Sequence, residues 1–416
     1  MTEPARAASS PPLLARGEYL ARAANCVACH TVAGGAPFAG GLKMAVPGLG
    51  AIYGTNITPD KQHGIGLYTY EDFERAVRRG VARDGHRLYP AMPYPSYAKI
   101  ASNDVRALYA FFMEGVPAAA VPNKPSEIRA PLNWRWPLKL WNGLFAPDVG
   151  FTSDPDQSAQ WNRGAYLVEG LGHCGACHTP RGLLFQEKGL DASDGDFLRG
   201  AELDNWFASN LRGNARSGLG QWSEPEIAEF LATGHNRHST AFGTMIEVIN
   251  NSTQFLTASD LTAMAVYLRS LPSDDADERY RYDSASTQAL RSGSLQSNGA
   301  RVYLQTCAAC HGMDGKGFAP WLPPLAGNPV ILDKDPVSLV NVTLNGSARI
   351  VVRGMPDAYR MPQFRVALGD QDIADVLTFI RSAWGHDADE VDAKDVQGLR
   401  QSTDPASTEI HVLRMK

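Results

Sequence analysis

The chain of 416 residues lacks any run of the roughly 18 apolar residues that a membrane-spanning helix needs. Ala110 to Val121 comes nearest, and Glu114, Gly115 and Pro117 interrupt it. Strong charge of either sign is also missing. The net charge is −5, and no Lys/Arg cluster or stripe stands out, which argues against a nucleic-acid surface. There is no dinucleotide fingerprint and no spare domain-sized segment that could hold a substrate-oxidising module. The first twenty residues have no apolar core of a secretory signal, so the start reads as a mature N-terminus or as one with an added Met1. What remains is an ordinary globular composition, 44% apolar and 20% charged, long enough for about two to four domains.

Cysteine is scarce, and its placement decides the class. All six fall in one motif used three times: Cys26-Val27-Ala28-Cys29-His30, Cys174-Gly175-Ala176-Cys177-His178 and Cys307-Ala308-Ala309-Cys310-His311. C-x-x-C-H is the attachment signature of c-type haem. Two thiols one helical turn apart add across the two vinyl groups of one porphyrin, and the next residue supplies the proximal nitrogen to iron. A thioredoxin-like pair needs no following histidine. Zinc needs four ligands, and no second pair lies near any of these. The cofactors expected are therefore three covalently bound haem c groups, with His30, His178 and His311 as proximal ligands. Such haem is attached outside the cytoplasm, so a periplasmic location and an upstream export signal are expected.

Similar punctuation surrounds each motif, which reads as an internal repeat. A short helix with Gly and Tyr precedes it, at Gly17-Glu18-Tyr19, Gly164-Ala165-Tyr166 and Gly299 leading to Tyr303. A Gly/Pro-rich region follows. Each unit then closes with a helix of i, i+3, i+4 apolar spacing, expected over 103–112, 259–268 and 369–380. Units one and two share more, with Asn56-Ile57-Thr58 matching Asn210-Leu211-Arg212 and an acidic helix start at Glu71-Asp72 and Glu224-Pro225-Glu226. The fold class expected is mainly α, with three consecutive class I cytochrome c-like domains at 11–121, 158–272 and 294–385. Linkers are expected at 122–157 and 273–293, and a polar tail at 386–416. Trp134, Trp136 and Trp141 pack either the first joint or a local satellite core.

A methionine opposite the histidine keeps the iron six-coordinate and suits electron transfer, and one is expected in the loop before each closing helix. Met92, bracketed by prolines, is the choice in unit one over Met44 and Met113. Met245 is the choice in unit two over Met264, which falls on the apolar face of the closing helix. Met361 is the choice in unit three, with Met355 as a rival six residues earlier. His86, His235 and His238 leave bis-histidine ligation open; His63, His173, His386 and His411 read mostly as loop residues. The proximal histidine of unit three is expected to give its other N–H to a backbone carbonyl in Pro323–Gly327, through Pro324. Arg181 reads either as a propionate partner or as a surface residue.

The segments Asn56-Ile57-Thr58-Pro59-Asp60, Tyr70-Glu71-Asp72-Phe73-Glu74, Leu88-Tyr89-Pro90-Ala91-Met92-Pro93-Tyr94 and Trp161-Asn162-Arg163-Gly164-Ala165-Tyr166-Leu167 resemble the triple-haem cytochrome c subunit of bacterial periplasmic membrane-bound dehydrogenases. The resemblance runs from about Leu14 to Gly385. It implies the ligand pairs His30/Met92, His178/Met245 and His311/Met361. It also implies a catalytic dehydrogenase subunit, carrying flavin, pyrroloquinoline quinone or molybdenum, as electron donor. Ubiquinone or a terminal oxidase is the implied acceptor, with peripheral membrane association. Two departures from the family stand out. Thr244 replaces the usual proline before Met245, and the C-terminal tail is no amphipathic anchor. The alternative from another class is a multi-haem oxidoreductase or peroxidase with one open iron.

Overall fold

The computed structural model describes residues 9–46, 49–273, 279–409 and 412–415. His411, the tail residues Ile410 and Lys416, and residues 274–278 of the expected linker lie outside the described residues. Helices dominate. The described strands pair only as antiparallel hairpins, Lys43–Val46 with Gly50–Tyr53, Ala201–Leu203 with Trp206–Ala208, and Val351–Val352 with Met355–Pro356. No helix among the described residues is long and apolar enough to cross a membrane. The chain divides into two compact units. One comprises Met1–Ala176, Asn251–Leu256 and His411–Lys416; the other comprises Cys177–Asn250 and Thr257–Ile410. The division falls inside the second motif.

In the first unit, the opening helix Pro11–Ala23 starts on proline, whose missing N–H costs nothing at that position. It crosses the closing helix Ser102–Ala110, which runs on into a π-helical turn, Phe111–Gly115. Gly17 sits at the crossing. A Cβ there would overlap the Ala107 carbonyl oxygen and the Phe111 Cβ, so only glycine lets the two backbones approach. Val105, Leu108, Phe111 and Phe112 are buried, and Phe38 meets the last two rings edge to face. The helix Tyr70–Arg79 is fixed at its start by a capping box. Thr69 Oγ1 accepts from the Asp72 N–H, and the Asp72 carboxylate accepts from the Thr69 N–H. It ends at Gly80, whose φ of +60° is the left-handed stop favoured after a helix.

The segment 122–157, read as a linker, contains the helix Pro137–Phe145. Of its three tryptophans, Trp141 packs on Tyr94 at 6.2 Å and Phe145 at 5.4 Å. Trp134 and Trp136 remain 56% and 71% exposed, so they do not serve as joint packing within this unit. The helix Ala159–Ala165, capped by the Ser158 hydroxyl, continues as the π-helical turn Tyr166–Leu171. Tyr166 OH donates to Asp104 Oδ2 at 2.7 Å and accepts from the Ala101 N–H at 3.1 Å. Lys99 Nζ meets Glu169 Oε2 at 2.7 Å, both side chains buried.

In the second unit, the helix Glu224–Thr233 packs on Ala258–Ser270. Ser223 gives its N–H and its hydroxyl to Glu226 Oε2. Around the third motif, Asn298–Val302 crosses Asp370–Ser382 as the opening and closing helices of the first unit do. Gly299 takes the place of Gly17: a Cβ there would overlap the Asp375 carbonyl. Tyr303, Val340, Leu344, Ile373, Leu377 and Trp384 form the core. Two helices within segments read as linker and tail also build it. Ala285–Ser292 supplies Leu290, and Ala393–Ser402 supplies Val396 and Leu399. Arg400 Nε pairs with Asp370 Oδ1 at 2.6 Å to hold the last helix down.

Candidate functional site

Each motif ends in a short helix, Cys26–His30, Gly175–His178 and Ala308–His311. None of the six cysteines is in a disulfide. Cys29 and Cys310 are exposed and the rest half-buried. Burial pushes the Cys26 and Cys307 thiols up to about 12.

The three motif histidines share one geometry. The Nδ1–H of His30 donates to the Thr55 carbonyl at 2.6 Å, that of His178 to the Ser209 carbonyl at 2.7 Å, and that of His311 to the Pro323 carbonyl at 3.1 Å. A carbonyl can only accept, so Nδ1 carries the proton and Nε2 presents its lone pair. Burial holds all three rings below the usual imidazole range, partly opposed by that carbonyl. They are neutral, the form that binds a metal. Each backbone is pinned too: the His30, His178 and His311 carbonyls accept from Gly40, Gly200 and Gly317 N–H groups at 2.7, 2.7 and 2.9 Å. In the first two motifs the following threonine repeats a further contact. Thr31 Oγ1 accepts from the Phe38 N–H and Thr179 Oγ1 from the Leu198 N–H, each at 3.0 Å.

Two cysteines three residues apart, followed by a histidine whose Nδ1 is already bonded to a backbone carbonyl, fit covalent haem. They do not fit zinc, because among the described residues no three His, Cys, Asp or Glu side chains converge as a metal cage. The cytochrome c family profile matches residues 296–384, which contain the third motif. Much longer matches cover the other two. The chain is 52% identical over 402 residues to the gluconate 2-dehydrogenase cytochrome c subunit of Pantoea cypripedii, spanning 94% of this chain and 90% of that one. It is 47% identical over 405 residues to the cytochrome c subunit of alcohol dehydrogenase (quinone) from Gluconobacter oxydans, 95% and 84% of the two chains. The fructose dehydrogenase cytochrome subunit of Gluconobacter japonicus is 36% identical over 424 residues, 96% and 85%. The chain belongs to the family of dehydrogenase cytochrome c subunits. Its function is electron transfer.

In this cytochrome subunit the candidate distal methionines lie in different settings. Met92 is half-buried in a tight turn, its N–H donating to the Tyr89 carbonyl and its carbonyl accepting from the Tyr94 N–H. Met245, expected in a loop, is the first residue of the helix Met245–Asn251 and packs against Ala241, Ile246, Ile249 and Ile350. Met361 is half-buried in an extended loop tied to Ser347, whose hydroxyl accepts the Met361 N–H and whose N–H donates to the Met361 carbonyl, each at 3.0 Å. The rival Met355 lies on the hairpin strand Met355–Pro356, 74% exposed. Met264 is core.

The other histidines lie in varied settings. His86 Nδ1 pairs with Asp84 at 2.5 Å, and His238 stacks on Trp222 beside Glu226. His235 lies 4.0 Å from Asp357. His386 is buried, donating from Nδ1 to the Ile380 carbonyl and accepting the Gly327 N–H. Arg181 gives Nη1 to the Phe185 carbonyl.

Sequence reasoning named a supplying segment only in unit three, Pro323–Gly327, and that segment does supply the carbonyl. Within it the expected residue was Pro324. The acceptor is Pro323, and the Pro324 carbonyl takes the Asn328 side-chain amide at 3.0 Å instead. In units one and two the signal was present: Thr55 and Ser209 each directly precede the matched asparagines Asn56 and Asn210. Both asparagines are buried and hold their turns, Asn56 Oδ1 accepting from Thr58 N–H and Asn210 Oδ1 from Arg212 N–H.

Proposed function

We propose that the chain carries three covalent haem c groups in three consecutive cytochrome c-like domains and passes electrons from a catalytic dehydrogenase subunit to the respiratory chain. The repeated histidine geometry carries this reading, since each motif independently offers a neutral, oriented Nε2. Cys26 and Cys29, Cys174 and Cys177, and Cys307 and Cys310 hold the haems. The axial pairs are His30 with Met92, His178 with Met245, and His311 with Met361. When bound, haem iron supplies one-electron chemistry with no transfer of atoms. The protein's own part is to hold each ring in one tautomer through Thr55, Ser209 and Pro323, and to keep it neutral by burial.

The donor is a flavin, quinone-cofactor or molybdenum dehydrogenase, in line with the gluconate, alcohol and fructose dehydrogenases named for the relatives. The acceptor is ubiquinone or a terminal oxidase. The protein works in the periplasm, at the outer face of the cytoplasmic membrane. Exposed Leu132, Trp134, Trp136, Leu140 and Leu144, with Lys139 among them, support one-sided membrane association.

The test is anaerobic reduction of the purified chain by sugars, alcohols and N-heterocycles, with and without candidate dehydrogenases. Haem content per chain is measured alongside. Three haems, reduced only when a dehydrogenase is added, is the expected result. Reduction by a substrate alone would mean that the chain has its own catalytic site.

A further inference from the structure

Tyr97 links the first two attachment motifs. It ends the helix Tyr94–Tyr97 and is buried. Its hydroxyl donates to the Ala24 carbonyl at 2.8 Å, two residues ahead of Cys26. The same ring meets the imidazole of His173 edge to face, centroids 5.5 Å apart at 79°. His173 directly precedes Cys174, and its Nδ1–H is fixed on the Leu171 carbonyl at 3.0 Å.

The surroundings hold this pair still. Two residues beyond Tyr97, Lys99 closes on Glu169, and Ala101 and Asp104 are both bonded to Tyr166. The left-handed backbone of His173, φ +38°, recurs at Asn25 ahead of the first motif, so the bend belongs to the position. The imidazole is particular to the second motif. A joint that needed only apolar packing has no use for a phenol tied to one motif and an imidazole abutting the next.

We propose that Tyr97 and His173 form the packed bridge that sets the electronic coupling between the first and second haems. This rests on the three-haem reading. In the exchange, one electron leaves the ferrous iron of one centre and reduces the ferric iron of the other. No proton or atom moves, and neither ring is oxidised. The pair are positioning residues: they replace a gap by continuous bonded and van der Waals contact, through which tunnelling decays more slowly than through space.

The test injects less than one electron per chain into the oxidised full-length protein. Redistribution among the haems is followed by rapid freeze-quench EPR, which separates ferric centres by their g values. Tyr97→Leu and His173→Leu should slow exchange between the first two centres several-fold, with haem content and g values unchanged. His173→Phe, which keeps an aromatic ring in the contact, should exchange near the unaltered rate, whereas Tyr97→Phe, which keeps the ring but breaks the hydrogen bond to Ala24, should slow exchange, though less than Tyr97→Leu. Leucine variants that keep three haems and exchange at the unaltered rate would overturn the proposal. Should leucine cost haem content, the unaltered protein decides: spin–spin broadening between the first two ferric centres is expected, and its absence overturns the bridge. Fewer than three haems in the unaltered chain would instead sink the three-haem reading beneath it.

Discussion

Ser209 donates its hydroxyl to the buried carboxyl group of Asp333 at 2.8 Å, while its own carbonyl accepts the His178 Nδ1–H. Burial pushes the Asp333 carboxyl up to about 8, against the lowering effects of the Ser209 hydrogen bond and Arg381. The folded state therefore keeps a proton that the unfolded chain releases near its ordinary value of 3.8. Stability attached to this group is complete below that value and falls as pH rises towards 8. Denaturant midpoints at pH 5 and pH 8 should show the loss. Asp333→Asn keeps an acceptor for Ser209 without titrating and should flatten it; an equal loss in the variant would place the dependence elsewhere.

Gly17→Ala and Gly299→Ala set two effects against each other. Alanine gains about 1 kcal/mol of helix propensity. The added Cβ overlaps a backbone carbonyl, Ala107 in one case and Asp375 in the other, and neither can swing aside. Overpacking costs about 1–3 kcal/mol or more. Net destabilisation is expected for both, read as a lower midpoint in thermal melts of the full chain. Gly143→Ala, with open space around the new methyl, is the control and should not lower it.

The Lys99–Glu169 pair is nearly dry, with side chains 10% and 7% exposed. Lys99→Met alone should cost about 3–5 kcal/mol, because it leaves a buried carboxylate without its cation. Lys99→Met combined with Glu169→Leu should recover most of that. A double-mutant cycle with additive losses would show that the two charges do not depend on each other.

Carbon monoxide separates the two candidate ligands of the proposed third haem. Met361 is pinned to Ser347 from both sides, whereas Met355 projects from a hairpin. Met361→Ala should open one iron to carbon monoxide in the reduced protein, and Met355→Ala should open none. The reverse result would assign Met355.

Features coded by neighbours in sequence were legible. The Thr69–Asp72 cap and the Ser223–Glu226 contact are i, i+3 relations, and the closing helices appear as Ser102–Ala110, Ala258–Ser270 and Asp370–Ser382. Backbone acceptors were only partly legible: the matched asparagines Asn56 and Asn210 mark Thr55 and Ser209, whereas Pro323 and Pro324 look alike until the ring selects one. The helix Ala393–Ser402 escaped notice because Val396 and Leu399 are its only buried residues, too few to mark a face in a polar stretch. Met245 read as a loop residue because Gly243 and Thr244 hid the start of a short helix.

The crossings at Gly17 and Gly299 also bear on ancestry. Each brings the beginning of a segment against its end, residue 17 beside 107 and residue 299 beside 375. A segment whose ends meet can be copied head to tail without rethreading its interior, since entry and exit already lie side by side. Gene duplication could thus lengthen an electron-carrying chain one whole segment at a time, provided that each copy kept its glycine.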